Sequence, residues 1–129
     1  MPHGNVPTLA YRVQVGERSV VFGGDQNGSD PAFARFVAGA DVLVMHLALS
    51  GEASGPVTEL HATPSTVGEV ARAAKARRLV LSHLIEAPRA LATPEWFSLS
   101  GLDAAVAAVR EHFAGPVDAA VDLTCVAIP

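Results

Sequence analysis

Polar and apolar residues alternate with period two from residue 8 to residue 15. Leu9, Tyr11, Val13 and Val15 stand on one side, with Thr8, Ala10, Arg12 and Gln14 on the other, which predicts a strand with one wet face. Gly16-Glu17-Arg18 turns the chain into a second apolar stretch, Ser19-Val20-Val21-Phe22, so the two read as a hairpin. Asp30 before Pro31 has the form of an N-cap with proline at the first helical position. Gly39 then closes a short helix carrying Phe33, Phe36 and Val37 on one side. A buried strand is expected over residues 41–46 and a mobile loop over residues 50–62. Thr63-Pro64 opens a helix with Val67, Val70, Ala71 and Ala74 at i, i+3, i+4 and i+7, and Arg77 and Arg78 are expected in its last turn. A fully apolar strand follows at residues 79–81, then a second long loop at residues 86–99 containing Trp96. Ser100 with Asp103 resembles a capping box. It precedes a third helix with Leu102, Val106, Val109 and Phe113 on one stripe, ending near Gly115. Residues 117–121 and 124–128 are expected to form a closing pair of strands.

Composition narrows the class. The chain has 129 residues, 50% hydrophobic and 17% charged, too apolar for a disordered tail and the right size for one domain. A domain of this length buries roughly two thirds of its unfolded surface, which leaves little margin if one sheet face stays uncovered. Nine basic against thirteen acidic side chains give a formal net charge of −4. The single lysine, Lys75, and the scattered arginines argue against a protein that binds nucleic acid by charge. Cys125 is the only cysteine, so neither an internal disulfide nor a Cys-rich zinc site is available, and a reducing cytoplasm is the expected location. No stretch approaches the ~20 apolar residues of a membrane span, and residues 1–5 lack the pattern of a secretory leader.

Three apolar strands run into residues able to bind a metal: Val20-Val21-Phe22-Gly23-Gly24 into Asp25, Val42-Leu43-Val44-Met45 into His46, and Leu79-Val80-Leu81-Ser82 into His83. Sites in layered α/β folds gather at the carboxyl ends of strands, and imidazole with carboxylate suits zinc or a similar divalent ion. The two glycines before Asp25 would let backbone approach a metal closely. Each residue also has a plain structural reading. Asp25 can cap a turn in Asp25-Gln26-Asn27-Gly28, His46 can be a hydrogen-bonded strand-end residue, and His112 falls on the outer part of the last helix.

Taken together the segments resemble the C-terminal half of the metallo-β-lactamase-fold hydrolases, in particular the ribonuclease Z-like branch, over nearly the whole chain. Residues 2–12, with His3 ahead of the pair Tyr11-Arg12, are similar to the stretch where a metal-binding histidine precedes a strand. Ser19-Val20-Val21-Phe22-Gly23-Gly24-Asp25 resembles the segment ending in the metal-bridging aspartate. Ala38-Gly39-Ala40-Asp41-Val42-Leu43-Val44 matches the next strand, and Leu79-Val80-Leu81-Ser82-His83-Leu84 the strand ending in the last metal histidine. His61-Ala62-Thr63-Pro64 is similar to a segment whose histidine assists proton transfer. The resemblance thus implies His3, Asp25 and His83 as metal ligands, Asp25 and His61 as catalytic residues, and up to two zinc ions in the complete fold. His46 stands where many members of the family carry an acidic residue. The N-terminal half, with its His-x-His-x-Asp-His motif, is absent from residues 1–129. The three ligands present come from two different sites, so the resemblance implies weak or no metal binding by this chain alone.

The fold implied is α/β: one mixed sheet of an αββα sandwich with helices on one face, whose other face, bearing Leu9, Tyr11, Val13, Val20 and Phe22, meets water unless an oligomer or a complementary N-terminal half covers it. The chemistry implied is hydrolysis of a small ester or phosphodiester by hydroxide generated on the ions, with a small-molecule substrate and neither membrane nor nucleic acid as partner. A different class of reading is a non-catalytic remnant that self-associates or serves as a binding module. A third is a small α/β binding module outside the family, although Gly23-Gly24-Asp25 has neither a G-x-G-x-x-G fingerprint nor a P-loop lysine.

Overall fold

The computed structural model describes residues 2–84 and 101–129. Among these, five strands form one sheet in the order β1-β2-β3-β4-β5. They are β1 (Tyr11–Val15), β2 (Arg18–Phe22), β3 (Val42–His46), β4 (Leu79–Ser82) and β5 (Val117–Ala119). The hairpin is present as expected, β1 pairing antiparallel with β2 from Tyr11↔Phe22 to Val15↔Arg18. The other pairs are parallel, so β2 to β5 end at the same edge. Helices α1 (Pro31–Phe36), α2 (Val57–Leu60), α3 (Pro64–Ala73) and α4 (Leu102–His112) lie in the connections. The result is the α/β architecture with a single mixed sheet that the family resemblance implies.

Strand register separates the side chains into two faces. Val21, Leu43, Met45, Leu79, Leu81 and Val117 point to the covered face and are buried with Phe33 and Val37, with Val67, Val70 and Ala71 of α3, and with Ala105, Val109 and Phe113 at α4. Helices α3 and α4 also pack on each other: a Cβ at Gly68 would lie 2.5 Å from the Val109 carbonyl oxygen, so only glycine permits this crossing. On the opposite face the register aligns Tyr11 with Phe22, Val13 with Val20, Phe22 with Val44, and Val44 with Val80. That stripe opens to water at its β1 end, where Tyr11 is 61% and Phe22 46% exposed.

The caps explain where the helices begin. Asp30 Oδ1 accepts the Ala32 N–H at 2.8 Å, and Pro31 opens α1. Thr63 Oγ1 accepts the Thr66 N–H and Pro64 opens α3, whose apolar positions Val67, Val70, Ala71 and Ala74 are all buried. Several expectations are corrected. Phe36 is 41% exposed because α1 ends there and turns only Phe33 and Val37 inward. Arg77 and Arg78 lie beyond α3, since Lys75 takes a left-handed φ of 52° that ends the helical path. Arg77 then pairs with Asp41, and Arg78 pairs with Asp118. Residues 50–62 contain the short helix α2 as well as loop. Residues 124–128 form no strand. Instead the Arg78 side chain donates to the Ala127 carbonyl at 2.9 Å, and Val126 and Ile128 line the same hollow as Val20, Val42, Val44 and Val80. The end of the chain thereby shields part of the open face. The expected loop at residues 86–99, with Trp96, and the Ser100 half of the capping box lie outside the described residues; Gly101 stands at the N-cap of α4 without a side-chain bond.

Candidate metal centre

The carboxyl edge of the parallel strands carries the chemistry. Past β2 the ladder continues one residue, Gly23 N–H donating to the Val44 carbonyl at 2.8 Å. A Cβ on Gly23 would stand 2.8 Å from Met45 Sδ and 3.2 Å from Phe33 Cζ. Gly24, with φ 68°, then turns the chain so that Asp25 faces the strand ends. The two glycines therefore serve close packing and a turn. The following turn is held by neighbours of Asp25: the buried Gln26 accepts the Gly28 N–H at 2.6 Å, and Asn27 Oδ1 accepts the Ser29 N–H at 3.0 Å. Those bonds remove the need for Asp25 as a turn cap.

Four imidazoles surround the Asp25 carboxylate. His3 Nε2 lies 3.1 Å and His83 Nε2 3.7 Å from Oδ2; His61 Nδ1 lies 2.9 Å and His46 Nδ1 3.5 Å from Oδ1. Each is delivered by a different device. The segment holding His3 is clamped by Asn27 N–H donating to the Pro2 carbonyl, Gly4 N–H to the Glu59 carbonyl, and the Asn27 side-chain amide to the same Glu59 carbonyl. His61 caps the C-terminus of α2, its N–H bonding to the Val57 carbonyl, and the next N–H, of Ala62, bonds to the Gln26 carbonyl. The unforeseen helix α2 thus positions both His3 and His61. His46 is the last residue of β3. His83 follows β4 in the left-handed region with φ 58°, where a non-glycine residue carries strain.

His3, Asp25, His61 and His83, predicted as site residues, are thus brought together in space, with His3 and His83 in different ligand sets that share the Asp25 carboxylate. His46 joins them. Its ring stacks on His83 with centroids 4.7 Å apart, and His3 meets His61 edge-on at 5.1 Å. His112 stands apart on α4, 3.8 Å from Glu69. Burial, reinforced by the neighbouring His83, holds the His46 pKa below the usual imidazole value, against the pull of Asp25. That environment favours the neutral ring, the form that binds a metal. Sequence spacing offers no sign that His46 would reach Asp25; only its place at a strand end pointed to it.

Donor chemistry and hydrogen bonding both fit a divalent ion. The ligand-type atoms fall into two overlapping sets, His3–Asp25–His61 and Asp25–His46–His83, each with all atoms within 4.8 Å of one another. His3 Nδ1 and Nε2 and His46 Nδ1 are buried without a hydrogen-bond partner, which is costly for polar atoms unless something else satisfies them. Nitrogen-rich sets with one carboxylate suit zinc-type ions better than magnesium or calcium. Beside His83 lies an open groove lined by Ser82, Leu84, Ala120, Val121 and Asp122. A more apolar hollow between Leu9, Ala10, Phe33 and Phe36 also exists, but Asp30, the one carboxylate among its described lining residues, is committed to capping α1.

A cluster of histidines about one aspartate at the strand ends of an α/β sheet makes this edge a candidate metal centre. Comparison makes this specific: the chain belongs to the family described as the Beta-lactamase superfamily domain, which it matches over residues 2–84. No curated protein matches it in sequence. Among solved structures, 25 chains match. One is the metallo-beta-lactamase fold protein YhfI from Bacillus subtilis, similar with a TM-score of 0.67 and 24% identity over 86% of this chain. This chain spans 40% of the length of that one.

Proposed function

We propose that this chain is the ligand-bearing half of a metal-dependent hydrolase of the metallo-β-lactamase superfamily, of ribonuclease Z-like kind, acting on a small ester or phosphodiester. The observation that supports it is the convergence of His3, His46, His61 and His83 on Asp25 at the open edge of the sheet. A zinc-type ion held there supplies Lewis acidity toward the substrate oxygen and lowers the pKa of water. The protein's own groups do the rest. Asp25 accepts a hydrogen bond from the attacking water and orients it. His61, its Nδ1 2.9 Å from Asp25 Oδ1, is held in one ring orientation; as the imidazolium it donates from Nδ1 to Asp25 and passes its Nε2 proton to the leaving oxygen, returning to the neutral ring. Among the described residues the groove beside His83 is lined by no lysine or arginine, and this, with the net charge of −4, favours a small substrate over a nucleic-acid strand. The remaining ligands come, in this reading, from a complementary His-x-His-x-Asp-His segment that also covers the open sheet face. A reducing cytoplasm suits the free, exposed Cys125. No helix among the described residues is long and apolar enough to cross a membrane.

Co-expression with a polypeptide carrying that segment tests the proposal. Zinc content by elemental analysis and turnover of p-nitrophenyl acetate or bis(p-nitrophenyl) phosphate are both expected to appear, with turnover abolished in Asp25→Asn. A well-folded complex without bound metal contradicts it.

A second reading is favoured by the exposure of Leu9, Tyr11, Val13 and Phe22: a non-catalytic module that pairs with a second copy through this face. Sedimentation at micromolar concentration separates the two readings. A dimer that Phe22→Ser dissociates, with no hydrolysis under any metal condition, favours the second.

A further inference from the structure

We propose that Asp25, His46 and His83 form a three-ligand site for one zinc-type ion that this chain completes by itself, with His46 as a direct ligand. The inference deepens the hydrolase reading and concerns the same edge of the sheet, but it requires no second polypeptide. Distance separates His46 and His83 from His61. Two ligand atoms each about 2.1 Å from a tetrahedral ion stand about 3.4 Å apart, beyond the 2.7–3.2 Å usual for an N–H···O hydrogen bond. His46 Nδ1 and His83 Nε2 lie 3.5 and 3.7 Å from the Asp25 oxygens, spacings suited to a shared ion. His61, by contrast, is already hydrogen-bonded to Asp25 at 2.9 Å, which suits a proton-handling residue.

Three further observations agree. His46 Nδ1 is buried with no hydrogen-bond partner, although a strand-end histidine kept for structure alone is expected to use that nitrogen. The His46 and His83 rings stack at 4.7 Å with an interplanar angle of 22°, presenting nitrogens side by side toward the carboxylate. His83 holds a left-handed backbone, φ 58°, and so reaches Asp25 at the cost of local strain. Two imidazoles and one carboxylate are the ligand count of open zinc sites that keep a position for water or substrate, and the groove beside His83 leaves that position accessible.

Titration of the 129-residue protein with Co²⁺, followed by its d–d absorption and by competition with Zn²⁺, tests the inference. One equivalent with tetrahedral band intensity is expected. His46→Ala and His83→Ala should each weaken binding at least about a hundredfold, more than the 10- to 100-fold typical of groups that only orient a ligand. His112→Ala should bind like the parent. His46→Gln retains volume and polarity without an imidazole and should lose binding in the same way, with circular dichroism confirming the fold of each variant. No Co²⁺ uptake by the parent, or parent-like binding by a folded His46→Ala or His46→Gln, overturns the inference. Uptake through His46 with no hydrolysis after complementation removes the catalytic reading and leaves this one standing. Absence of uptake by the chain alone removes this one and leaves the complemented enzyme to its own assay.

Discussion

Two aspartates sit at opposite ends of the same parallel strands, and their surroundings differ in kind. Asp41, at the amino end of β3, is buried and fully engaged: Oδ2 accepts the Ser19 N–H at 2.8 Å and the Ser19 hydroxyl at 3.3 Å, and Oδ1 accepts from Arg77 Nη1 at 3.1 Å. Asp25, past the carboxyl end of β2, has four imidazoles around it, yet His3 and His46 keep buried nitrogens without hydrogen bonds. The first arrangement spends its polar groups on the fold. The second leaves donor atoms unbonded in two sets that share the Asp25 carboxylate, an arrangement open to a ligand at some cost in stability. The Ser19 backbone N–H, aided by Arg77 and against the opposing effect of burial, holds the Asp41 pKa below its ordinary value of 3.8. A structural carboxylate is thereby kept ionised.

Substitutions from the core outward should affect the two edges of the sheet differently. Leu81→Ala removes a fully buried side chain two residues before His83 and should destabilise by about 2–5 kcal/mol in urea unfolding, disturbing both ends of the sheet. Asp41→Asn should lower the urea midpoint clearly at pH 7. Because the folded-state pKa is depressed, the carboxylate's contribution is fully present above about pH 4. It is lost as the pH falls through the folded-state pKa, so the difference between parent and variant should shrink toward pH 2. Thr63→Ala uncaps α3 two residues after His61 and should cost about 1 kcal/mol. Asp25→Asn, measured without metal, should change stability by no more than about 0.5 kcal/mol in either direction while abolishing metal uptake. A loss as large as that of Asp41→Asn would make Asp25 a structural residue and erase the contrast.

Much of the fold was legible because its signals are local. The hairpin follows from period-two alternation at residues 8–15, and α1 and α3 from Asp30-Pro31 and Thr63-Pro64, whose caps form as the sequence predicts. Elements shaped by distant contacts were not. Helix α2 has one turn and no capping side chain. Arg77 and Arg78 are drawn away from the helix end by Asp41 and Asp118, and residues 124–128 follow the open face where a paired strand was expected. The site divides the same way. His3, Asp25 and His83 were named by resemblance to a family and Asp25, His46 and His83 by strand ends, but a contact such as His61 to Asp25 spans 36 residues. Periodicity carries no record of such a contact. That His46 Nδ1 would be buried and unbonded is a property of packing, visible only once β3 and β4 lie side by side.

On the proposal made above, the carboxyl edge binds the metal and the amino edge does not. Imidazole resonances of the five histidines, followed by NMR as Zn²⁺ is added at constant pH, test this most directly. His46 and His83 should shift first and furthest, His3 and His61 should follow as Asp25 is engaged, and His112 should stay where it is. Movement of His112 together with the others, or no movement of His46 and His83, contradicts the account.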